Sequence, residues 1–362
     1  MQTQVTDTAF TLAHEKHPVC FDRERLRHAA EIADTAVASG SHPCALIAVA
    51  DSTRTVWTHV VSGEDGARLD GIFLLASITK PIVATAVMQL VEQGRLLLDA
   101  PVAQYIPEFA GAGKERVTTW HLLTHTSGME EVRWWKELRE TRGGHEAALG
   151  AACNSHLHFE PGARCEYCSL SFTVLGELIT RLSGQPYPEY LREHIFAPLG
   201  MSDTAFRPVD AARALPVHDH GGPEDLEWFT SLAIPGGGLW SSAADLLAFG
   251  QAYLRGSVYD GYRLLGPAAL ETMTRSHTSG MVEIVDGRPQ PFEYGLGWGK
   301  LSPNNGIIGS ARSYGHGGAT GTYFWVDPVY DLVYVFLTNR WGLEHNTPRR
   351  ALNAVYGALS KA

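Results

Sequence analysis

The segment Leu75-Ala76-Ser77-Ile78-Thr79-Lys80-Pro81 runs straight into an apolar, alanine-bearing stretch, Ile82 to Leu90. Proline is tolerated in the first turn of a helix and hardly anywhere else in it, so Pro81 marks this segment as a helix start. Three positions apart at that start, Ser77 and Lys80 share a face about one turn apart, and the amine reaches the hydroxyl. The pairing makes a nucleophile. A free serine hydroxyl is almost fully protonated at neutral pH and needs a neighbouring base, and the helix N-terminus favours a developing anion. For an isolated Ser-x-x-Lys the plain alternative is a capping serine beside a solvated lysine. What separates the two readings lies downstream.

Two later stretches have the character to join this pair. Pro161-Gly162 is followed by Tyr167-Cys168-Ser169, just ahead of a helical pattern at Leu170. A tyrosine at such a junction can face a cleft, where its phenol accepts or donates a proton when a cation is near. Tyr314-Gly315-His316-Gly317-Gly318-Ala319-Thr320-Gly321 leads into an apolar strand. Its glycines let a ligand approach an edge-strand backbone, whose N–H groups can hold an oxyanion. Taken singly, the first is a tyrosine packed under a loop and the second a glycine-rich hairpin.

The rest of the chain reads as sheet, helical insertion, and sheet again. Residues 1–19 show no period and read as a loose arm. Phe21 to Ala38 is a helix, with Leu26, Ala29, Ile32, Ala33 and Ala36 on one stripe and Gly40 ending it. Cys44 to Ala50 and Thr55 to Val61 are strands at one edge of a mixed sheet. The nucleophile helix stops at Gly94. From Leu96 to about Thr230 helices and loops dominate, with a short capped helix at Thr118 to Thr124 and a longer one from Leu170 to Leu182 before Gly184. Pro235-Gly236-Gly237-Gly238 is a backbone-permissive loop, and Ser242-Ala243-Ala244-Asp245 is a capping box opening a helix that ends near Gly256. Tyr323 to Val326 and Leu332 to Leu337 are strands, and a last helix spans about Pro348 to Leu359. The predicted fold class is α/β in the α+β sense: an antiparallel sheet flanked by helices, from residues 1–76 and 260–362, and a mostly helical part, residues 77–259. The active site is expected between them.

Composition narrows the function classes. At 362 residues, with 44% hydrophobic and 19% charged residues, the chain is long enough for a substantial core and has ordinary globular composition. Its net charge of -10, with no block of five like charges, argues against nucleic acid or an anionic membrane as partner. The five cysteines are odd in number and irregularly spaced, unlike a secreted disulfide framework. Met1 to Glu15 lacks the basic start and apolar core of a signal peptide, and no apolar run reaches membrane-span length, so the expected compartment is the cytoplasm. There is no Gly-x-Ser-x-Gly elbow, Gly-x-Gly-x-x-Gly loop or Walker loop, which removes the alpha/beta-hydrolase and nucleotide-cofactor readings, and no cofactor is expected. Cys153, His156, His158, Cys165 and Cys168 fall within 16 positions and are zinc ligands in kind. Their spacing is irregular and Cys165 and Cys168 bracket Tyr167, so buried or incidental thiols account for them better than a metal site. His121 and His125 lack an evident third ligand.

Together, Ser77/Lys80, Tyr167-Cys168-Ser169 and His316-Gly317-Gly318 resemble the three ordered motifs of the serine beta-lactamase and penicillin-binding-protein superfamily: Ser-x-x-Lys, Tyr-x-Asn, and Lys-Thr-Gly or its variant His-x-Gly. The likeness is to its class C-like branch, with family VIII carboxylesterases, D-aminopeptidases and DD-peptidases. His121-Leu122-Leu123-Thr124-His125-Thr126-Ser127-Gly128, Leu199-Gly200-Met201, Pro235 to Leu239, Tyr294-Gly295-Leu296-Gly297-Trp298 and Leu337-Thr338-Asn339-Arg340 add to the resemblance, which spans about Phe21 to the C-terminus.

The resemblance implies a beta-lactamase/transpeptidase-like fold and an acyl-enzyme mechanism. Ser77 attacks a carbonyl, Lys80 and Tyr167 share its proton, and the backbone N–H of Ser77 with one beside Gly318 or Ala319 forms the oxyanion hole. Ser169, His316, Gly317, Gly318 and Ala319 are expected to line the pocket. Two departures bear on substrate. Ser169 stands where the family has asparagine, whose amide contacts an acylamino group. His316 stands where lactamases and DD-peptidases have a lysine that helps bind a substrate carboxylate. Both favour a neutral short-chain ester over a penicillin or a D-Ala-D-Ala terminus, with lactamase or D-amino amidase activity as the alternative. A non-catalytic binding protein on the same fold is a further reading, against which the intact serine, lysine and tyrosine argue. Trp134, Trp135, Trp228 and Trp298 are candidates for an aromatic wall holding an apolar acyl or alcohol group, or else core residues.

Overall fold

The strands Ala45–Ala50 (β1) and Leu332–Leu337 (β6) are buried at every position rather than at alternate ones. The reason is that both faces of their sheet are covered. The computed structural model describes residues 19–130, 132–285, 287–302 and 305–361. Six strands form the main sheet: β1, Thr55–Val61 (β2), Gly299–Lys300 (β3), Tyr314–Gly317 (β4), Tyr323–Asp327 (β5) and β6, in the spatial order β3-β4-β5-β6-β1-β2. Every pairing in it is antiparallel. β2 is therefore an edge strand, as read from sequence, and the sheet is antiparallel as the expected fold class has it, not mixed as the two N-terminal strands alone suggest.

Successive side chains leave a strand on opposite faces, and here each set meets its own helical layer. Ala45, Ile47 and Val49 with Leu332, Tyr334 and Phe336 face one layer. There they meet Leu26, Ala29 and Ala33 at helix α1 (Arg27–Ala38) and Ala351, Leu352 and Val355 of the C-terminal helix Asn346–Gly357. Leu46, Ala48 and Ala50 with Val333, Val335 and Leu337 face the other. That core continues through Leu246 and Phe249 of the helix Ala243–Leu254 into the nucleophile helix α2 (Thr79–Glu92) and the helix Leu170–Ser183 (α3). The two chain ends are tied by a short strand pair, Val19–Phe21 with Leu359–Lys361, which has no local signature in the sequence and was read there as arm and helix. Residues 1–18 of that arm lie outside the described residues.

Helix ends fall where their punctuation sits. Gly94 and Gly184 take left-handed backbone just past α2 and α3, and the Ser242 hydroxyl accepts from the Asp245 N–H at the start of its helix. Among the described residues, no helix is long and apolar enough to cross a membrane.

Candidate active site

Ser77 lies in a single 3-10 turn, Ala76–Ile78, that passes directly into α2. From Gly71 to Leu90 every residue is buried except Ser77, so the only side chain this segment offers to solvent is the serine. Ala76, just before it, has φ +48°, a left-handed conformation costing a residue with a β-carbon roughly 1–2 kcal/mol. It turns the chain from strand to helix at that point. The turn is pinned from the other side: Thr79 Oγ1 donates to the Ala76 carbonyl at 2.7 Å and accepts from the Leu239 N–H at 3.1 Å.

Lys80 is fully buried. Its Nζ lies 3.1 Å from Ser77 Oγ, 3.1 Å from Ser169 Oγ and 2.7 Å from the Gly236 carbonyl oxygen. A buried amine is tolerable only when its polar atoms are met, and three oxygens answer the three N–H donors of an ammonium. The Tyr167 and Phe172 rings complete the surround, with centroids 4.7 and 5.4 Å from Nζ. The Gly236 carbonyl reaches Lys80 because the loop 235–238 packs between Ser169 and Ala76, where a β-carbon at Gly236 would crowd the Ser169 backbone at 3.2 Å. Ser169 occupies the N-cap position of α3, where a serine usually caps the helix. Its hydroxyl makes no cap bond and instead accepts from Lys80.

Strand β4 approaches the serine from the sheet. Its neighbour β3 pairs only with Tyr314 and Gly315, so at His316 and Gly317 β4 runs on beyond its partner. The turn that follows is stitched to the residues just before Ser77: Thr320 Oγ1 donates to the Leu74 carbonyl at 2.8 Å and Thr322 Oγ1 to that of Leu75 at 3.0 Å. This approach requires glycine at 318, where a β-carbon would collide with the Leu75 carbonyl oxygen and the Thr322 hydroxyl. The Gly318 N–H donates to the Thr322 carbonyl at 2.8 Å. Of the two strand-side donors considered from sequence, the Gly318 N–H is thus engaged, while the Ala319 N–H has no partner among the described residues. Beneath Gly317 and Gly318 lies His345, whose Nε2–H donates to the Gly318 carbonyl at 2.9 Å.

His316 is buried, and its contacts fix its protonation. Nδ1 lies 2.7 Å from the Gly317 carbonyl oxygen, which can only accept, so the proton is on Nδ1. Nε2, 2.7 Å from the Tyr294 hydroxyl, then accepts from that O–H. Burial, together with the charge of Lys80, pushes the imidazole pKa down to about 3. His125, fully buried nearby, is also held well below the usual histidine range by burial and by Lys80.

The structure thus brings Ser77, Tyr167 and Ser169 around the Lys80 amine and sets His316 and Gly317 on strand β4, with Gly318 and Ala319 in the turn that follows it. Sequence reasoning missed the Gly236 carbonyl and Tyr294 as contributors. The glycine run and the Tyr-Gly-Leu-Gly-Trp stretch drew notice, but neither announces a carbonyl for Lys80 or a hydroxyl for His316. Of the four aromatic-wall candidates, Trp298 takes the core alternative. Trp298 is fully buried against Phe249, Tyr253, Tyr314 and Phe324, and Trp228 is half-buried with its indole N–H on the Gly143 carbonyl at 3.2 Å. The side chains of Trp134 and Trp135 lie outside the described residues. Of the Cys/His group, Cys165 and Cys168 are buried, with burial pushing the Cys165 thiol up to about 12, and His158 lies between Glu130 and Glu166 at 3.4 and 3.2 Å.

Comparison with known proteins identifies the family. The family model described as Beta-lactamase matches residues 29–358. Penicillin-binding protein 4 of Amycolatopsis lactamdurans is 33% identical over 287 residues, 75% of this chain and 72% of that protein. Esterase EstB of Burkholderia gladioli is 38% identical over 190 residues, 46% of this chain and 47% of the esterase. Among solved structures, a penicillin-binding protein homologue from Caulobacter crescentus matches with a TM-score of 0.78 over 94% of this chain and 99% of its own, at 22% identity, a likeness of fold alone. The chain belongs to the beta-lactamase family, within the beta-lactamase/transpeptidase-like superfamily of serine hydrolases.

Proposed function

We propose that the protein is a carboxylesterase for short-chain esters, working through an acyl-enzyme on Ser77. The Ser77 hydroxyl loses its proton to the Lys80–Tyr167 pair as its oxygen bonds to the ester carbonyl carbon. The negative carbonyl oxygen is met by the N–H groups of Ser77 and Ala319. Collapse expels the alcohol, which takes the proton from the same pair. Water then attacks the acyl-serine, giving up its proton to the pair; the bond to Ser77 Oγ breaks, that oxygen takes the proton back, and the carboxylic acid is released.

The observation that carries the ester reading is the state of His316. A beta-lactam or a D-Ala-D-Ala terminus presents a carboxylate, and the family's lysine at this strand position answers it with a cation. Here the position holds an imidazole kept neutral by its burial and by the charge of Lys80, with its Nε2 lone pair taken by the Tyr294 hydroxyl. Ser169, in place of the amide that meets an acylamino group, has its hydroxyl on Lys80. The 38% identity to a protein named as an esterase supports the same reading.

Initial rates on a p-nitrophenyl acetate or butyrate, a chromogenic cephalosporin and a D-alanine anilide, with wild type and Ser77→Ala side by side, test it. Ester turnover that vanishes with Ser77, with the other two substrates slow, is expected. Cephalosporin or anilide turnover at least as fast as ester turnover contradicts the substrate class. Absence of Ser77-dependent turnover on all three contradicts the enzyme reading itself.

A further inference from the structure

Tyr167 lies in a loop, yet four consecutive backbone N–H groups around it are all engaged by residues far away in the chain. Cys165 N–H donates to the Val282 carbonyl at 3.3 Å and Glu166 N–H to the His125 carbonyl at 2.9 Å. Tyr167 N–H donates to Glu283 Oε1 at 2.7 Å and Cys168 N–H to His125 Nδ1 at 3.0 Å. Only two elements supply these acceptors. One is His125, with left-handed backbone at φ +57° and its ring centroid 4.4 Å from that of Tyr167. The other is a hairpin of Val282–Val285 and Arg288–Pro291, outside all three catalytic motifs.

The chemistry of both acceptors suits a fixed clamp. His125 is wholly buried and neutral, so Nδ1 keeps the lone pair that accepts from Cys168 and the ring proton is on Nε2. Glu283 is partly buried and offers a carboxylate oxygen to a backbone amide, a charge-assisted bond stronger than one between neutral groups. A loop left to its own contacts would let the Tyr167 ring sample several orientations beside Lys80. With every N–H from 165 to 168 tied, the backbone carrying that ring has little freedom.

We propose that Glu283 and His125 are positioning residues for Tyr167, a two-element clamp that holds its ring beside Lys80 and so sets the rate of proton transfer to and from Ser77. The proposal rests on the reading of Tyr167 as a proton carrier, and its test separates the two. Glu283 stands on a surface hairpin, so its variants leave the core intact. In Glu283→Ala, kcat for p-nitrophenyl butyrate falls about 10–100-fold while KM stays within about threefold, because misplacing a reacting group by about an ångström costs that much without altering substrate binding. Glu283→Gln, which keeps an oxygen for the Tyr167 N–H, recovers kcat to within a few-fold of wild type. His125→Asn, whose side-chain oxygen can take the place of Nδ1 on a residue that tolerates left-handed backbone, retains more kcat than His125→Ala.

Hydrogen exchange over residues 164–170 reads the clamp without activity, and Glu283→Ala is expected to lose protection there. Unchanged protection, wild-type kcat in Glu283→Ala, or a Glu283→Gln as slow as Glu283→Ala overturns the clamp. Lost protection together with wild-type turnover in Tyr167→Phe keeps the tether and refutes Tyr167 as proton carrier, and with it the catalytic role proposed for Glu283 and His125.

Discussion

Ser77 and Tyr167 reach the same amine by opposite means. Ser77 is three residues from Lys80 on one continuous helical start, so the geometry of a single turn places hydroxyl and amine 3.1 Å apart. Tyr167 stands at the end of a loop and is held by acceptors about 40 and 116 residues distant in sequence. The contrast teaches that half of this site is local and half is assembled. The local half survives any fold that lets the helix form. The assembled half exists only when the sheet, the helical insertion and the 282–291 hairpin are all in place.

Substitutions at the local half have the largest expected effects. Ser77→Ala removes the attacking oxygen and is expected to lower kcat by about 10⁴-fold or more, measured with a nitrophenyl ester. Lys80→Met keeps the apolar stem and removes the proton carrier, leaving Ser77 Oγ, Ser169 Oγ and the Gly236 carbonyl without their shared donor. A loss of roughly 10³-fold in kcat with a lowered Tm is expected. Nearly wild-type turnover in Lys80→Met would remove the amine from the mechanism and with it the comparison drawn above.

The strand side gives intermediate effects. Gly318→Ala drives a methyl into the Leu75 carbonyl and the Thr322 hydroxyl, pushing the Ala319 N–H away from Ser77. Overpacking of this kind costs about 1–3 kcal/mol of stability, and a displaced oxyanion donor costs about 100-fold in kcat. Thermal melts and kinetics on the same samples check both. Tyr294→Phe removes the donor to His316 Nε2, and the neutral ring loses a hydrogen bond that favours it. A fall in kcat of about threefold to tenfold is expected, smaller than at Gly318 because no backbone moves.

Acid stability sharpens the comparison least but reaches the whole fold. Burial holds His316 down to about 3 and His42 and His220 down to about 4, and His125 well below its ordinary value. Unfolded histidine titrates near 6.5, so below that pH the unfolded chain binds protons these folded imidazoles refuse. Their contribution to stability is present above about pH 6.5 and is lost as the pH falls toward 4 and 3. Asp245, raised to about 6 by burial, acts in the opposite sense between about 6 and 3.8, one proton against several. Tm is therefore expected to fall steadily from pH 7 to pH 5. A Tm that rises over that interval contradicts the buried neutral histidines.

The same division governs what the sequence discloses. The Ser77/Lys80 spacing, the apolar runs of β1 and β6, and the glycines at 94 and 184 each carry their own local signal, and each stands where that signal puts it. Glu283 and Tyr294 carry none. A glutamate in a surface hairpin and a tyrosine before a glycine become site residues only through contacts closed by the whole fold. Trp298 shows the converse: aromatic content marks it as a large apolar residue without saying whether it faces core or cleft, and the core takes it. The N- and C-terminal strand pair was illegible for the same reason, since two short segments more than 300 residues apart specify nothing until they meet.

The most direct test of the account is covalent labelling with a fluorophosphonate followed by peptide mapping, on wild type, Ser77→Ala and Lys80→Met. The account predicts a single adduct on Ser77 in the wild type, none in Ser77→Ala, and strongly slowed labelling in Lys80→Met. Labelling of another residue, or unslowed labelling without Lys80, would contradict a nucleophile made by the Ser77–Lys80 turn.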